Sequence, residues 1–266
     1  MVVVIAPGMD AVAKAILPAE SAVQERALGT AHAVRAAEAT LKGFRGDVLI
    51  VFGDTPLVRP ATLRALVKAR RAGADRAVAV MGFHPDDPSP YGRLIVGNDG
   101  TLERIVEAKD ATAEQRAVRL CNGGIMAAEA PRLFQLLREI DNRNAKSEFY
   151  LTDLVAVARR HGHGCIAVEG AAEDVVGVNS RAELAAAEAM LQQRLRAAAM
   201  AGGATLTDPS SVWFCIDTRL ARDVVVEPHV VFGPGVTVAA GARIRAFSHV
   251  EGARVAVGAV IGPYAR

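Results

Sequence analysis

The stretch Val226-Glu227-Pro228-His229-Val230-Val231-Phe232-Gly233-Pro234-Gly235-Val236-Thr237-Val238-Ala239-Ala240-Gly241-Ala242-Arg243-Ile244 repeats on a six-residue period. Val226, Phe232, Val238, Ile244 and Val250 fall in phase, punctuated by Gly233, Gly235, Gly241, Gly252, Gly258 and Gly262. After Val250 the phase slips by one residue and resumes at Val255 and Ile261. One inward aliphatic per hexad marks a β-helix coil, in which each hexad is a short strand and a turn and three hexads close one triangular coil. Such coils bury their aliphatic row only against each other, so they are stable only when stacked. An ordinary antiparallel β-domain is the bland alternative, and it gives no reason for a sustained period of six.

Working outward from there, the stretch before the repeats reads as one long helix. Arg181 to Met200 is rich in Ala, Glu, Gln and Arg, with Leu184, Leu191 and Leu195 at helical spacing, as in a connecting arm. Residues 1–179 instead alternate short apolar runs with helical patterns. Strands are expected at Val2–Ala6, Val48–Phe52, Ala77–Met81 and Cys165–Val168, and helices at Ala31–Leu41, from Pro60, at Pro131–Ile140 and at Leu151–Arg160 ending at Gly162. Asn98-Asp99-Gly100 is a hairpin signal between Arg93–Val96 and Leu102–Val106. The alternation predicts an α/β domain with a mainly parallel sheet, whose ligands sit beyond the carboxyl ends of the strands. Asp54, read as following directly on a buried strand, is then well placed for function.

Bulk properties exclude several classes. The 266 residues carry a formal net charge of +2, with 51% hydrophobic and 23% charged residues. That is a globular composition without the charge bias of a nucleic-acid or membrane-surface protein. The cysteines, Cys121, Cys165 and Cys215, are odd in number and lack metal-ligand spacing, as in a reducing compartment. The start lacks a signal peptide's basic lead-in and apolar core. No apolar run reaches the ~18 residues of a membrane span. A soluble, cytoplasmic protein is expected. His161-Gly162-His163 with Cys165 reads as a helix end entering a strand rather than as a metal site.

Seven short motifs then occur in order: Gln24 with Leu28-Gly29-Thr30-Ala31-His32-Ala33; Gly53-Asp54-Thr55-Pro56-Leu57; Tyr91-Gly92-Arg93; Ile105-Val106-Glu107-Ala108-Lys109-Asp110-Ala111; Asn122-Gly123-Gly124; Glu148-Phe149-Tyr150-Leu151-Thr152-Asp153; and Gly177-Val178-Asn179-Ser180-Arg181. With the helical arm and the hexads, the chain resembles the bifunctional N-acetylglucosamine-1-phosphate uridyltransferase/glucosamine-1-phosphate acetyltransferase family. The resemblance implies a Rossmann-like nucleotidyltransferase domain over 1–180, a helical arm and linker over 181–222, and the start of a left-handed parallel β-helix over 223–266. It implies synthesis of UDP-N-acetylglucosamine from UTP and N-acetylglucosamine 1-phosphate, supplying peptidoglycan and lipopolysaccharide synthesis. Acetyl transfer from acetyl-CoA and a homotrimeric state belong to the full-length family form.

Residue by residue, the resemblance implies Asp54 and Asn179 as ligands of Mg²⁺, a cation that takes oxygen donors and keeps several waters. Gln24, Gly29 and Thr30 would hold the uridine, a Gln amide being able to donate to and accept from the uracil edge. Gly92, Glu107 and Asn122 would hold the N-acetylglucosamine, with Phe52 where the family usually has Tyr and Gly123 where it usually has Thr. Alone, the same residues read as turns and caps: Thr30 as cap of one helix and Asn179 of the arm helix.

The resemblance also marks departures. The family opens with a glycine-rich loop whose amides, Arg and Lys hold the phosphates; Ile5-Ala6-Pro7-Gly8-Met9-Asp10 is not followed by Gly-Thr-Arg. Residues 2–16 correspond instead to the second strand and helix, so the first strand–helix unit is missing from the pattern. Without that strand, apolar surface and backbone groups are expected to be exposed. No acetyl-transfer residue maps here. Little uridyltransferase and no acetyltransferase activity is therefore expected of these 266 residues. Two other readings stay open: another sugar-1-phosphate nucleotidyltransferase with hexapeptide repeats, and a non-catalytic scaffold or regulatory subunit.

Overall fold

A computed structural model describes residues 1–144 and 146–266. The chain divides into two compact units, Met1–Gly177 and Val178–Arg266.

The first unit begins with β1 (Val2–Ile5), α1 (Asp10–Ala15) and β2 (Glu20–Val23). β1 and β2 pair in parallel across the α1 crossover, as a two-stranded ladder apart from the main sheet. Then come α2 (Thr30–Ala36), β3 (Asp47–Ile50), α3 (Pro60–Arg71), β4 (Arg76–Phe83), β5 (Arg93–Val96), β6 (Leu102–Val106), α4 (Ala113–Ala117), β7 (Cys121–Glu129), α5 (Ala130–Leu137), α6 (Asp153–Arg160) and β8 (Gly164–Glu169). The main sheet runs β6-β5-β7-β4-β8, with β3 also paired to β7.

This sheet is mixed, which corrects the expectation of a mainly parallel one. β4 pairs parallel with β8, but β7 runs antiparallel to β3, β4 and β5, and β5 antiparallel to β6. β3, β4 and β8 do share a direction, as the strand–helix alternation requires. The long reversed strand β7 lies between β3 and β4, and nothing local in its sequence announces that.

β4 shows why the sheet is covered on both sides. Successive side chains of a strand point to opposite faces. Val78 and Val80 pack with Leu133, Leu137, Leu154 and Val155 of α5 and α6, whereas Ala79 and Met81 pack with Leu66 of α3. Each fully buried Leu, Val or Met contributes about 1.5–3 kcal/mol. A strand buried on both faces reads as a continuous apolar run, and that is how this one was found. β3 is shorter than its apolar run: Val51 and Phe52 are exposed. Asp54 therefore lies in an exposed turn some residues beyond the strand rather than directly at its end. α2 likewise stops at Ala36, and the rest of its predicted span forms turns.

The second unit opens with α7 (Arg181–Ala201). Two-residue strands follow: β9 (Thr205–Leu206), β10 (Arg219–Leu220), β11 (Val225–Val226), β12 (Val231–Phe232), β13 (Thr237–Val238), β14 (Arg243–Ile244), β15 (His249–Val250), β16 (Arg254–Val255) and β17 (Val260–Ile261). They form three parallel ladders, β9-β11-β14-β17, β10-β13-β16 and β12-β15. Val225 pairs with Arg243 and Val231 with His249, three hexads on. Thr237 pairs with Arg254, one residue short of that, where the sequence phase slips. The in-phase aliphatics Val226, Phe232, Val238 and Ile244 are buried, and so is a second row two residues earlier: Val224, Val230, Val236 and Ala242. Between strands the backbone turns into the left-handed region at Gly235, Gly241, Gly252 and Gly258, and also at His229, Phe247 and Tyr264. Those three rings stack in file, 4.9 Å and 5.6 Å apart.

Among the described residues no helix is long and apolar enough to cross a membrane.

Candidate functional site

The first unit gathers most of the predicted residues around one segment, Phe149–Thr152. Gly29, the N-cap of α2, has φ +113°. A Cβ there would lie 2.6 Å from the Phe149 carbonyl oxygen and 2.7 Å from its nitrogen. Glycine is required because the chain's own backbone passes against it. The Phe149 N–H donates to the Leu28 carbonyl at 2.8 Å, and the Ala31 N–H to the Phe149 carbonyl at 2.9 Å. Thr30 is not the helix cap; its Oγ1 accepts the Leu151 N–H at 2.9 Å. Gln24 follows β2, with Nε2 donating to the Gly29 carbonyl at 3.1 Å and lying 3.0 Å from His32 Nδ1. Its amide nitrogen is engaged by these two partners inside the protein.

One residue on, the Thr152 hydroxyl donates to Glu107 Oε1 at 3.0 Å. Glu107 sits just past the end of β6, beside Gly92: a side chain at Gly92 would start 3.6 Å from Glu107 Oε2. Asn122 in β7 donates its backbone N–H to the Gly92 carbonyl at 2.8 Å, and its Oδ1 accepts the Gly124 N–H at 3.0 Å. The Phe52 ring lies over Gly124, Cε2 being 2.8 Å from where a Cβ would stand. Thr55 Oγ1 donates to the Phe52 carbonyl at 2.8 Å, closing the turn that carries Asp54. Thus Gln24, Gly29 and Thr30 on one side, and Phe52, Gly92, Glu107 and Asn122 on the other, are joined through Phe149–Thr152. Asn179 belongs to the second unit, where it is exposed and its N–H donates to the Glu183 carboxylate. It does not cap α7; Ser180 does, its Oγ accepting the Glu183 N–H at 3.2 Å.

Next to Glu107 a cavity of about 360 Å³ is lined by Asp110, Asp141, Tyr150, Thr152, Asp153 and Arg160 among others. Burial raises the pKa of Asp153 above the usual carboxylate value, with the charges of Asp141 and Glu107 adding to it. Burial likewise raises Tyr150, helped by Glu148 and Asp110. At the His161-Gly162-His163 end of α6, His161 faces Glu139 at 2.8 Å. Burial pushes the Cys165 thiol up to about 11, so it carries its proton at neutral pH.

Phe149 and Thr152 carry much of this geometry without having been assigned roles from sequence, although both lie within the Glu148–Asp153 motif.

A nucleotidyl transferase family model matches residues 11–119. The bifunctional protein GlmU of Paramagnetospirillum magneticum is 52% identical over 266 residues, 100% of this chain and 59% of the relative. That of Rhodospirillum rubrum is 58% identical over 255 residues, 96% of this chain and 57% of the relative. That of Sphingopyxis alaskensis is 55% identical over 248 residues, 93% and 55% respectively. The chain thus spans somewhat over half the length of these curated relatives.

Proposed function

Because the chain belongs, over its whole length, to the family of the bifunctional GlmU proteins, we propose that its first unit binds UDP-N-acetylglucosamine and that the longer family form synthesises it. The reaction is transfer of a uridylyl group from UTP to N-acetylglucosamine 1-phosphate: the sugar phosphate oxygen bonds to the α-phosphorus and pyrophosphate leaves. Such transfer asks little covalent work of the protein and much positioning.

The observation that carries the reading is the paired geometry of Glu107 and Asn122 about Gly92. Thr152 holds Glu107 Oε1, leaving Oε2 to accept a sugar hydroxyl. Gly124 holds Asn122 Oδ1, which orients the amide so that its NH₂ donates, as an acetamide carbonyl requires. Gln24 Oε1 accepts the ring N–H of uracil. Phe52 offers an exposed ring face beside the sugar.

Asp54 fits a divalent cation by chemistry: it is a hard oxygen donor in an exposed turn, and Mg²⁺ is often held by one or two carboxylates with waters completing its shell. When bound, Mg²⁺ neutralises phosphate charge.

For the second unit the reading is a left-handed parallel β-helix of hexapeptide repeats. Three parallel ladders with partners three hexads apart support it. Acetyl-CoA and trimerisation are proposals for the longer family form.

The test is calorimetric titration of the chain with UDP-N-acetylglucosamine, UDP-glucose and GDP-mannose. The expected result is saturable binding of the first, weakened at least about tenfold by removal of the acetamide or by Glu107→Ala. Equal affinity for all three, or an unaffected Glu107→Ala, contradicts the proposal.

A further inference from the structure

The Asp54 turn has an anchor that none of the predicted site residues supplies. It runs from Phe52 to Arg59, the N-cap of α3. Arg59 reaches across the unit to Asp174, with Nε 2.7 Å from Oδ1 and its terminal nitrogen 3.3 Å from Oδ2. Thr62, in the first turn of α3, donates its hydroxyl to the same carboxylate. The Asp174 side chain is 0% exposed, whereas that of Arg59 is 46% exposed. A buried carboxylate is tolerated only when its oxygens are paired. Here both are met by the N-terminus of α3, an end that also favours negative charge. Asp174, from a distant segment, thus holds the Arg59 and Thr62 side chains at that end of the helix. The hydrogen bond and charge of Asp174 raise the Arg59 pKa above its ordinary value.

Asp174 stands in a 3₁₀ turn, Ala172–Val175. Its neighbour Val175 is buried against Gly123: a Cβ at Gly123 would lie 2.9 Å from Val175 Cγ1. Gly123 separates Asn122, proposed to read the acetamide, from Gly124, which lies beneath Phe52. One buried carboxylate thereby ties the far end of the Asp54 turn to the strand that carries Asn122.

We infer that Asp174, acting through Arg59 and Thr62, is a positioning residue that sets the Asp54 turn against the Asn122–Gly124 turn. It touches neither substrate nor metal. The inference rests on the metal reading of Asp54 given above, and the test separates the two. Amide hydrogen exchange over residues 52–58 and the affinity for UDP-N-acetylglucosamine with and without Mg²⁺ are measured on the full chain, for wild type, Arg59→Ala, Arg59→Lys and Asp54→Ala. Arg59→Ala takes the cation from a buried carboxylate, so its circular dichroism is first compared with that of wild type to establish that it folds. Arg59→Ala is expected to speed exchange of the Thr55 amide about tenfold. It is also expected to lower the Mg²⁺ enhancement of affinity about tenfold, more than it lowers Mg²⁺-free affinity. Arg59→Lys, which keeps a cation for Asp174, restores part of both. Asp54→Ala abolishes the enhancement while leaving exchange of the turn as in wild type. Unchanged exchange in Arg59→Ala overturns the inference, as does faster exchange with the Mg²⁺ enhancement intact. If wild-type binding is itself indifferent to Mg²⁺, the metal reading falls, and exchange alone decides the clamp by the same criterion.

Discussion

At Gly29 the demand on one residue is sharpest. Its φ of +113° and the Phe149 backbone 2.6–2.7 Å from a notional Cβ act together, and backbone cannot swing aside as a side chain can. Strained backbone of this kind costs about 1–3 kcal/mol before any clash. Gly29→Ala should therefore destabilise the first unit by at least about 2 kcal/mol in urea unfolding and loosen Phe149–Thr152. Asp153 gives a prediction of opposite sign. Burial and the neighbouring Asp141 and Glu107 charges raise its folded pKa above the ordinary 3.8. Below the unfolded value both states are protonated and the group is neutral to stability. As pH rises through the folded value the native state binds more protons than the unfolded one, so stability falls. Asp153→Asn should raise the urea midpoint at pH 7 relative to wild type, with the gain shrinking to nothing as pH drops below the unfolded pKa; a gain independent of pH would speak against the assignment. Asp54, Glu107 and Asn122 were singled out by the resemblance, since alone Glu107 reads as a strand-end acid and Asn122 as part of a turn. Their supports were not, because Thr30 meets Leu151 and Arg59 meets Asp174 across 121 and 115 residues of chain.

Elements show a similar division. β4, β5, β6 and α3 were readable from apolar runs, Asn98-Asp99-Gly100 and Pro60, all local signals. The direction of β7 was not, since a strand's sense is set by its partners. β3 was read too long because Val51 and Phe52 are apolar yet exposed, Phe52 facing the candidate site rather than the core. In the second unit, α7 is held in part by a side chain that propensity could not reveal. Gln192 is 1% exposed, and its amide pairs with both backbone groups of Phe214, at 2.7 Å and 2.8 Å. Gln192→Leu would strand a buried N–H and a buried carbonyl, each costing about 1–3 kcal/mol. A loss of about 2–6 kcal/mol is expected in chemical unfolding of the second unit, against near neutrality if water replaces the amide. Ile244, 0% exposed at the middle of its ladder, should cost about 2–5 kcal/mol as Ile244→Ala.

On the scale of the whole molecule, the hexad period was the most legible feature, because each hexad repeats the demand of the last. The second buried row, Val224 to Ala242, was not anticipated, since small and β-branched residues there blend into the strand pattern. The corner rings His229, Phe247 and Tyr264 break the glycine rule of their turns. A non-glycine residue in that region costs about 1–2 kcal/mol, offset by stacking of about 0.5–1.5 kcal/mol per ring pair. In the first unit, the proposed function depends on segments far apart in sequence that meet at Phe149–Thr152. The most direct test of that account is a crystal structure of the chain with UDP-N-acetylglucosamine and Mg²⁺. The account places the uracil at Gln24 Oε1, the acetamide at the Asn122 NH₂ and a sugar hydroxyl at Glu107 Oε2. A ligand bound away from these three groups, or with its acetamide remote from Asn122, would contradict it.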